Sequence, residues 1–234
     1  MKVQKQMESI NYEFGGDLFI DVGANVGMWV KELGYLYGRI ICIEPSQEAF
    51  KLLRSATEYK YGDKTTYINK AGWSESNLRL DLAAGGHDTG NFTVFGEKLI
   101  KPENIIKRDT CTTMTIDELL DEVKDEEKDI LIKIDTEGAD WEILDGARDF
   151  IKAHRPTIAL ENHFHMHYDK EKYYSLISFF HEQNYNIIEF KNTDYLESYN
   201  HQRIFGGDRD YTGAEMYDKH YQMIFEPKKF LGER

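Results

Sequence analysis

Lys133, Asp135, Glu137, Glu161 and His163 gather at the ends of two short apolar runs, Ile130–Ile134 and Thr157–Leu160. Carboxylates beside an imidazole suit proton transfer. His163 is the natural base at neutral pH, and Glu137 and Glu161, if brought together, would raise one carboxyl through like-charge proximity. Lys133 reads either as a buried ion pair with one of these acids or as a direct participant. The oxygens of Asp135, Glu137 and Glu161, with Asn162 or His163, could also hold Mg²⁺ or Mn²⁺, although ordinary carboxylate networks use the same groups. Alternating histidines in 161–167 would share one face of an extended strand. Zinc sites favour other spacings and further ligands, so histidines of a substrate loop are the simpler reading.

A second group comprises Asp21, Gly23, Asn25 and Gly27, where an apolar strand turns directly into a helix-forming run. Such corners of doubly wound α/β sheets receive ligands. Asn25 stands at the second glycine of a dinucleotide fingerprint and Met28 at the third, which argues against a nicotinamide-dependent oxidoreductase. A bare strand-to-helix turn capped by Asn25 is the plainer alternative. Glu44 closes the next apolar run, at the distance where an acid accepts hydrogen bonds from ribose hydroxyls. The end of a third strand, Asn69 to Gly72, would then lie beside an adenine. There Asn69 reads a base edge or satisfies a turn, and Ala71 lies against the same place.

The elements that must position these groups follow a clear rhythm. Strands are expected at 17–22, 39–44 and 65–69, with helices at 26–37 and 46–58, which argues for a parallel sheet covered on both faces. Segment 73–112 breaks the rhythm. Leu78–Leu82 alternates as a half-exposed strand, and Thr110–Thr113 is its candidate antiparallel partner. Together they form an inserted hairpin reaching over the active-site end of the sheet. Thr115 and Glu118 have capping-box spacing. Strand 130–134, helix 141–151, strand 157–160, helix 170–184 and strands 186–190 and 221–225 complete one domain over 1–234. It carries a polar lead-in at 1–16 and a candidate lid at 192–219. His87 and Asp88 in the hairpin, and Arg203, Arg209 and Tyr211 in the lid, are candidate acceptor contacts.

Lysine and arginine number 29 against 42 acids, a net charge of −13. With no basic patch, such a surface repels polyanions and disfavours nucleic acid as a partner. Two cysteines, with Cys42 inside an apolar run, fit a reducing compartment. No stretch has membrane-spanning length and the first eight residues are polar, so a cytoplasmic protein without integral membrane association is expected. Oligomeric state is not legible.

The run Lys133-Ile134-Asp135-Thr136-Glu137-Gly138-Ala139-Asp140 resembles the Lys-x-Asp-x-Glu-Gly-x-Glu signature of FkbM-family methyltransferases, which use S-adenosylmethionine (SAM). Pieces in the same order include Asp21 to Gly27, Ile43-Glu44-Pro45, Asn69-Lys70-Ala71, Thr115-Ile116-Asp117 and Pro156 to Glu161. The resemblance spans about 17–165, and Asp140 departs from it by replacing Glu. It implies a Rossmann-like, mostly parallel seven-stranded sheet of class I methyltransferase type, SAM as cofactor, and O-methylation of a sugar or other small-molecule hydroxyl. Under it, Asp21, Gly23, Asn25, Gly27, Glu44, Asn69 and Ala71 would bind the cofactor. Asp135, Glu137, Glu161, His163 and Lys133 would serve the chemistry. A non-catalytic SAM-fold scaffold is the alternative.

Overall fold

The computed structural model describes residues 15–85, 92–95, 100, 102–162, 169–191, 202–203 and 221–228. Its first unit is β1 (Gly16–Val22), α1 (Met28–Leu33), β2 (Tyr37–Ile43), α2 (Gln47–Tyr61) and β3 (Thr65–Ile68). The inserted part follows as β4 (Ala71–Gly72), β5 (Arg79–Gly85), β6 (Phe92–Thr93) and β7 (Ile105–Met114). The chain then returns through β8 (Ile130–Ile134), α3 (Asp140–Asp145), α4 (Arg148–His154), β9 (Thr157–Asn162) and α5 (Lys170–Glu182). It ends with β10 (Tyr185–Lys191), β11 (Gln202–Arg203) and β12 (Tyr221–Pro227).

The main sheet runs β11-β10-β12-β9-β8-β1-β2-β3. β1 pairs in parallel with β2 and β8, β2 with β3, and β8 with β9, whereas β12 is antiparallel to both β9 and β10. Apart from the two-residue edge strand β11, this is the expected seven-stranded, mostly parallel, doubly wound sheet.

Side chains alternate across it with a period of two. Leu18, Ile20 and Val22 of β1 join Ile132, Ile143, Phe150 and Phe180 on the α3–α5 face. Phe19 points the other way, into a cluster with Val30, Leu33, Ile40, Leu53 and Leu131 against α1 and α2. The same alternation puts Asp21 and Lys133, register partners on adjacent strands, on that second face. Two ionisable groups are thereby driven into an apolar layer, a placement that demands pairing.

The structure moves several expected boundaries. The helix expected at 26–37 stops at Leu33, and a 3₁₀ turn, Gly34–Leu36, leads into β2. Tyr37 starts the strand because its buried ring stacks on Phe19 at 5.3 Å. The helix expected at 141–151 is two helices. At the break, Gly146 lies so close to the Trp73 carbonyl that an added Cβ would sit 2.1 Å from it. Asp117 there replaces the continuing helix, donating from its amide to the Gly146 carbonyl at 3.0 Å and accepting from Phe150 N at 2.8 Å. The segment after Thr115 is a 3₁₀ helix, Ile116–Glu122, with its capping box closed.

The inserted strands pair as expected, with Leu80 opposite Cys111 and Asp81 opposite Thr110. They form a second sheet of order β4-β7-β5-β6 rather than a bare hairpin. This sheet leans on the start of α2: Asp109 Oδ2 accepts from Gln47 N at 2.9 Å, and Lys107 pairs with Glu48 at 2.6 Å. The lead-in through residue 14, the hairpin tip with His87 and Asp88, and the histidines at 163, 165 and 167 lie outside the described residues, as do Arg209 and Tyr211. Of the expected lid, only 202–203 is described, paired antiparallel with β10. No described helix is long and apolar enough to cross a membrane.

Candidate functional site

The carboxyl ends of β1, β2 and β8 meet where three left-handed residues follow one another: Gly23 (φ 79°), Asn25 (φ 49°) and Gly27 (φ 81°). Each glycine has a steric reason. A Cβ on Gly23 would lie 2.0 Å from the Asp135 carbonyl oxygen, and one on Gly27 would lie 2.8 Å from both Leu53 and Thr57 of α2. The backbone of the β1 loop therefore touches the β8 loop on one side and α2 on the other.

The amides of this loop are engaged within the protein. Gly23 N and Ala24 N donate to the Ile43 carbonyl (2.9 and 3.1 Å), Gly27 N to Ala24 (2.8 Å), and Asn25 N to Glu44 Oε2 (2.8 Å). A pyrophosphate-binding corner needs these donors turned outward. Here they turn inward and an acid stands beside them, which suits a cationic or neutral ligand. Asn25 is thus a left-handed loop residue, not a helix N-cap; that position is taken by Gly27.

Glu44 is buried, and its other oxygen, Oε1, accepts from Ser46 N at 2.8 Å. Burial pushes its carboxyl up to about 7, against the lowering effect of the Ser46 and Asn25 amides. A carboxylate fixed by two amides retains lone pairs for a diol. Asn69 takes the turn-satisfying role, because its amide donates to the carbonyls of Glu44 (2.8 Å) and Pro45 (3.1 Å). It shapes the loop after β2 through its NH₂, so a base edge would have to meet its Oδ1. Ala71 is a buried methyl in β4, opposite Thr113 of β7.

Lys133 Nζ lies 3.4 Å from Asp21 Oδ1, 3.2 Å from Asp135 Oδ2 and 5.8 Å from the centre of the Trp29 ring. This is the buried-ion-pair reading of Lys133. Burial alone would lower its ammonium, but Asp135 and Asp21 outweigh that and hold it above its usual value. Burial raises the Asp21 carboxyl, and Lys133 opposes the rise. Asp21 Oδ2 accepts no hydrogen bond among the described residues. Cys42, opposite Asp21 on β2, is a buried thiol that desolvation pushes up, consistent with a packing role.

Beyond β8, Asp135 N donates to the Val22 carbonyl at 3.1 Å, holding this loop against β1. Asp140 Oδ1 accepts from Thr136 N (3.2 Å) and Thr136 Oγ1 (2.7 Å). Between them Glu137 adopts φ 51°. That conformation costs a non-glycine residue of order 1–3 kcal/mol and persists only where its surroundings enforce it. Glu161 lies on β9 one step beyond the Ile134–Leu160 register pair, beside the start of the β8 loop. Among the described residues no three carboxylate, imidazole or thiol side chains converge as metal ligands; His163, a member of the hard-cation set considered from the sequence, lies outside them. Sequence reasoning did not single out Trp29, Ser46, Thr93 or Thr136. Their roles arise from contacts across the fold, and only Asp140 carried a signal, as a departure from the signature.

The family model described as the methyltransferase FkbM domain matches residues 21–187. The chain belongs to this family. Residues 21–187 are a methyltransferase domain of that type. Among solved structures, an FkbM methyltransferase from Methylobacillus flagellatus KT is 17% identical with a TM-score of 0.51, covering 90% of this chain and 43% of that one. The chain thus spans less than half of that protein's length. A protein from Streptococcus mutans, solved in complex with S-adenosylhomocysteine (SAH), is 8% identical with a TM-score of 0.51, covering 96% and 97% of the two chains. At these identities the likeness is one of fold. No curated protein matches the chain.

The residues present fit SAM. Glu44 offers a carboxylate to vicinal hydroxyls, and the Asp21 oxygen that accepts no hydrogen bond among the described residues suits a positively charged amino end. A pH dependence follows from Glu44. Its folded-state carboxyl titrates above the ordinary value of 4.5, so ionising it in the fold costs stability as pH rises through 4.5 to about 7. Ribose hydroxyls donate to the ionised form. The affinity of this methyltransferase for SAH should therefore rise up to about tenfold per pH unit below that value and level off above it. Glu44→Gln flattens the profile and, at pH 8, weakens binding by about 1.5–3 kcal/mol, measured by calorimetric titration.

Proposed function

We propose that this FkbM-family enzyme methylates a hydroxyl of a small neutral acceptor, a sugar or glycan. The observation that carries the reading is the juxtaposition of β8 and β9. Ile134 and Leu160 are register partners, which brings Asp135 and Glu161 to neighbouring strand ends beside the cofactor loop of β1. Ionised carboxylates only accept hydrogen bonds, so they favour an acceptor rich in hydroxyl donors. A net charge of −13 disfavours a polyanionic acceptor such as nucleic acid.

When bound, SAM supplies an electrophilic methyl carbon with the sulfur as leaving group. The protein's own contribution is to hold the acceptor oxygen in line and to remove its proton. Asp135, fixed by Lys133 at 3.2 Å, and Glu161 orient the hydroxyl, and His163, directly after β9 in the chain, takes its proton near neutral pH.

The test is transfer of a labelled methyl group from SAM to a panel of neutral sugars and glycans, phenols, nucleotide sugars and RNA. Turnover of neutral sugars or glycans above the other classes is expected. Preferential labelling of RNA or nucleotide sugars contradicts the acceptor class. Tight SAH binding with no transfer to any class supports the scaffold alternative instead.

A further inference from the structure

The β8 loop, residues 135–139, is held from two directions that the cofactor reading does not use. Inside the main fold, the fully buried Asp140 closes the loop onto itself through the amide and hydroxyl of Thr136. From the inserted sheet, Thr93 of β6 donates its hydroxyl to the Glu137 carbonyl at 2.8 Å. The carbonyl can only accept, so the hydroxyl's single proton goes to Glu137. A lone pair of the same Oγ1 accepts from Phe95 N at 3.1 Å, which ties Thr93 to the turn that follows it. Thr93 is itself buried, and the turn after it is packed by Phe95 against Trp73, with ring centroids 6.0 Å apart.

The braced loop is also the floor of the cofactor corner. The position of a Cβ on Gly23 falls 2.0 Å from the Asp135 carbonyl oxygen and 3.0 Å from the Thr136 methyl. Residues 135–136 are therefore held hard against the β1 loop, whereas Glu137, whose carbonyl Thr93 holds, lies one residue beyond that contact. The carbonyl that Thr93 holds belongs to Glu137, the residue in the left-handed conformation.

We propose that Thr93 and Asp140 are positioning residues: the inserted sheet and the start of α3 each tether the Glu137 loop, fixing the reactive end of the site relative to the cofactor corner. The inserted sheet is thereby part of the catalytic apparatus even though Thr93 touches neither reactant. This inference rests on the reading that the 135–139 loop faces the reacting centre.

The experiment compares full-length wild type with Thr93→Val, which keeps the shape and removes the hydroxyl, and Thr93→Ser, which restores it. Three quantities are read: amide hydrogen exchange over 135–139, SAH affinity by calorimetry, and methyl transfer with whichever acceptor the wild type uses. Thr93→Val should speed exchange of these amides by about tenfold, the loss of one buried hydrogen bond. It should leave SAH affinity within about twofold and lower kcat by about tenfold or more, with little change in KM for SAM. Thr93→Ser should recover most of the protection and of kcat. Unchanged exchange in Thr93→Val, or a serine variant no better than valine, overturns the clamp. If SAH affinity falls as far as kcat, Thr93 supports the fold of the cofactor corner and the positioning role is wrong. If wild type turns over no acceptor, the acceptor reading fails, while exchange and the serine–valine comparison still decide the clamp.

Discussion

Lys133→Met should lower the free energy of unfolding by about 3–5 kcal/mol near pH 8, because removing one member of a buried ion pair leaves the other uncompensated. Lys133 is 3% exposed and Asp21 wholly buried, so water cannot take over the role of the ammonium. Asp135, more open on the other side of the lysine, contributes less to the loss. The defect should depend on pH with a definite sign. Burial already raises the Asp21 carboxyl above its ordinary value of 3.8, and without Lys133 nothing nearby opposes that rise. A carboxyl raised in the fold destabilises increasingly as pH climbs above its unfolded value, so the variant should be closest to wild type in acid and furthest from it in base. Adding Asp21→Asn should recover part of the loss, since the isolated buried charge is then gone. Urea unfolding at pH 5 and pH 8 checks both statements. A Lys133→Met protein within about 1 kcal/mol of wild type at both pH values would show that the pair is not structural.

Gly23→Ala should abolish cofactor binding, weakening SAH by about a hundredfold or more, and cost about 2–5 kcal/mol of stability. Two effects add. The residue has φ 79°, which a side chain adopts only under strain, and its Cβ would occupy space 2.0 Å from a backbone oxygen of the β8 loop. That oxygen cannot easily retreat, because the same residue's amide is tied to Val22 at 3.1 Å. Alanine must therefore separate the ends of β1 and β8, the two strands that carry Asp21 and Lys133. Calorimetric titration with SAH and a thermal melt measure the two consequences. Wild-type affinity in Gly23→Ala would mean that the close approach of these loops has no bearing on the cofactor.

What the sequence made legible was local. Apolar runs ending at or just before acids located β1, β2 and β8, and a buried ion pair for Lys133 was legible with Asp135, whereas its pairing with Asp21 emerged only from the register of β1 on β8. The antiparallel partnership of 78–82 with 110–113 was readable from the alternation of Leu78–Leu82, and the observed register runs from Arg79–Thr112 to Leu82–Asp109. What escaped depended on distant backbone. The break between α3 and α4 is set by the Trp73 carbonyl, which no pattern within 141–151 could announce. The amide of Asn69 is claimed by two carbonyls of the preceding crossover, and the amides of the glycine loop turn inward onto Ile43 and Glu44. The carbonyl of Glu137 is held by a threonine 44 residues away in sequence. A one-dimensional motif names the residue types at such a site but not which of their donors are already in use.

The central claim is that SAM sits with its ribose at Glu44 and the amino group of its methionyl end toward Asp21. A crystal structure of the full-length protein soaked with SAH tests it most directly. The account predicts both ribose hydroxyls within hydrogen-bonding distance of the Glu44 carboxylate and the β8 loop closed over the sulfur. A nucleoside bound elsewhere, or a crevice between β1 and β2 filled by the protein's own side chains at saturating SAH, would contradict it.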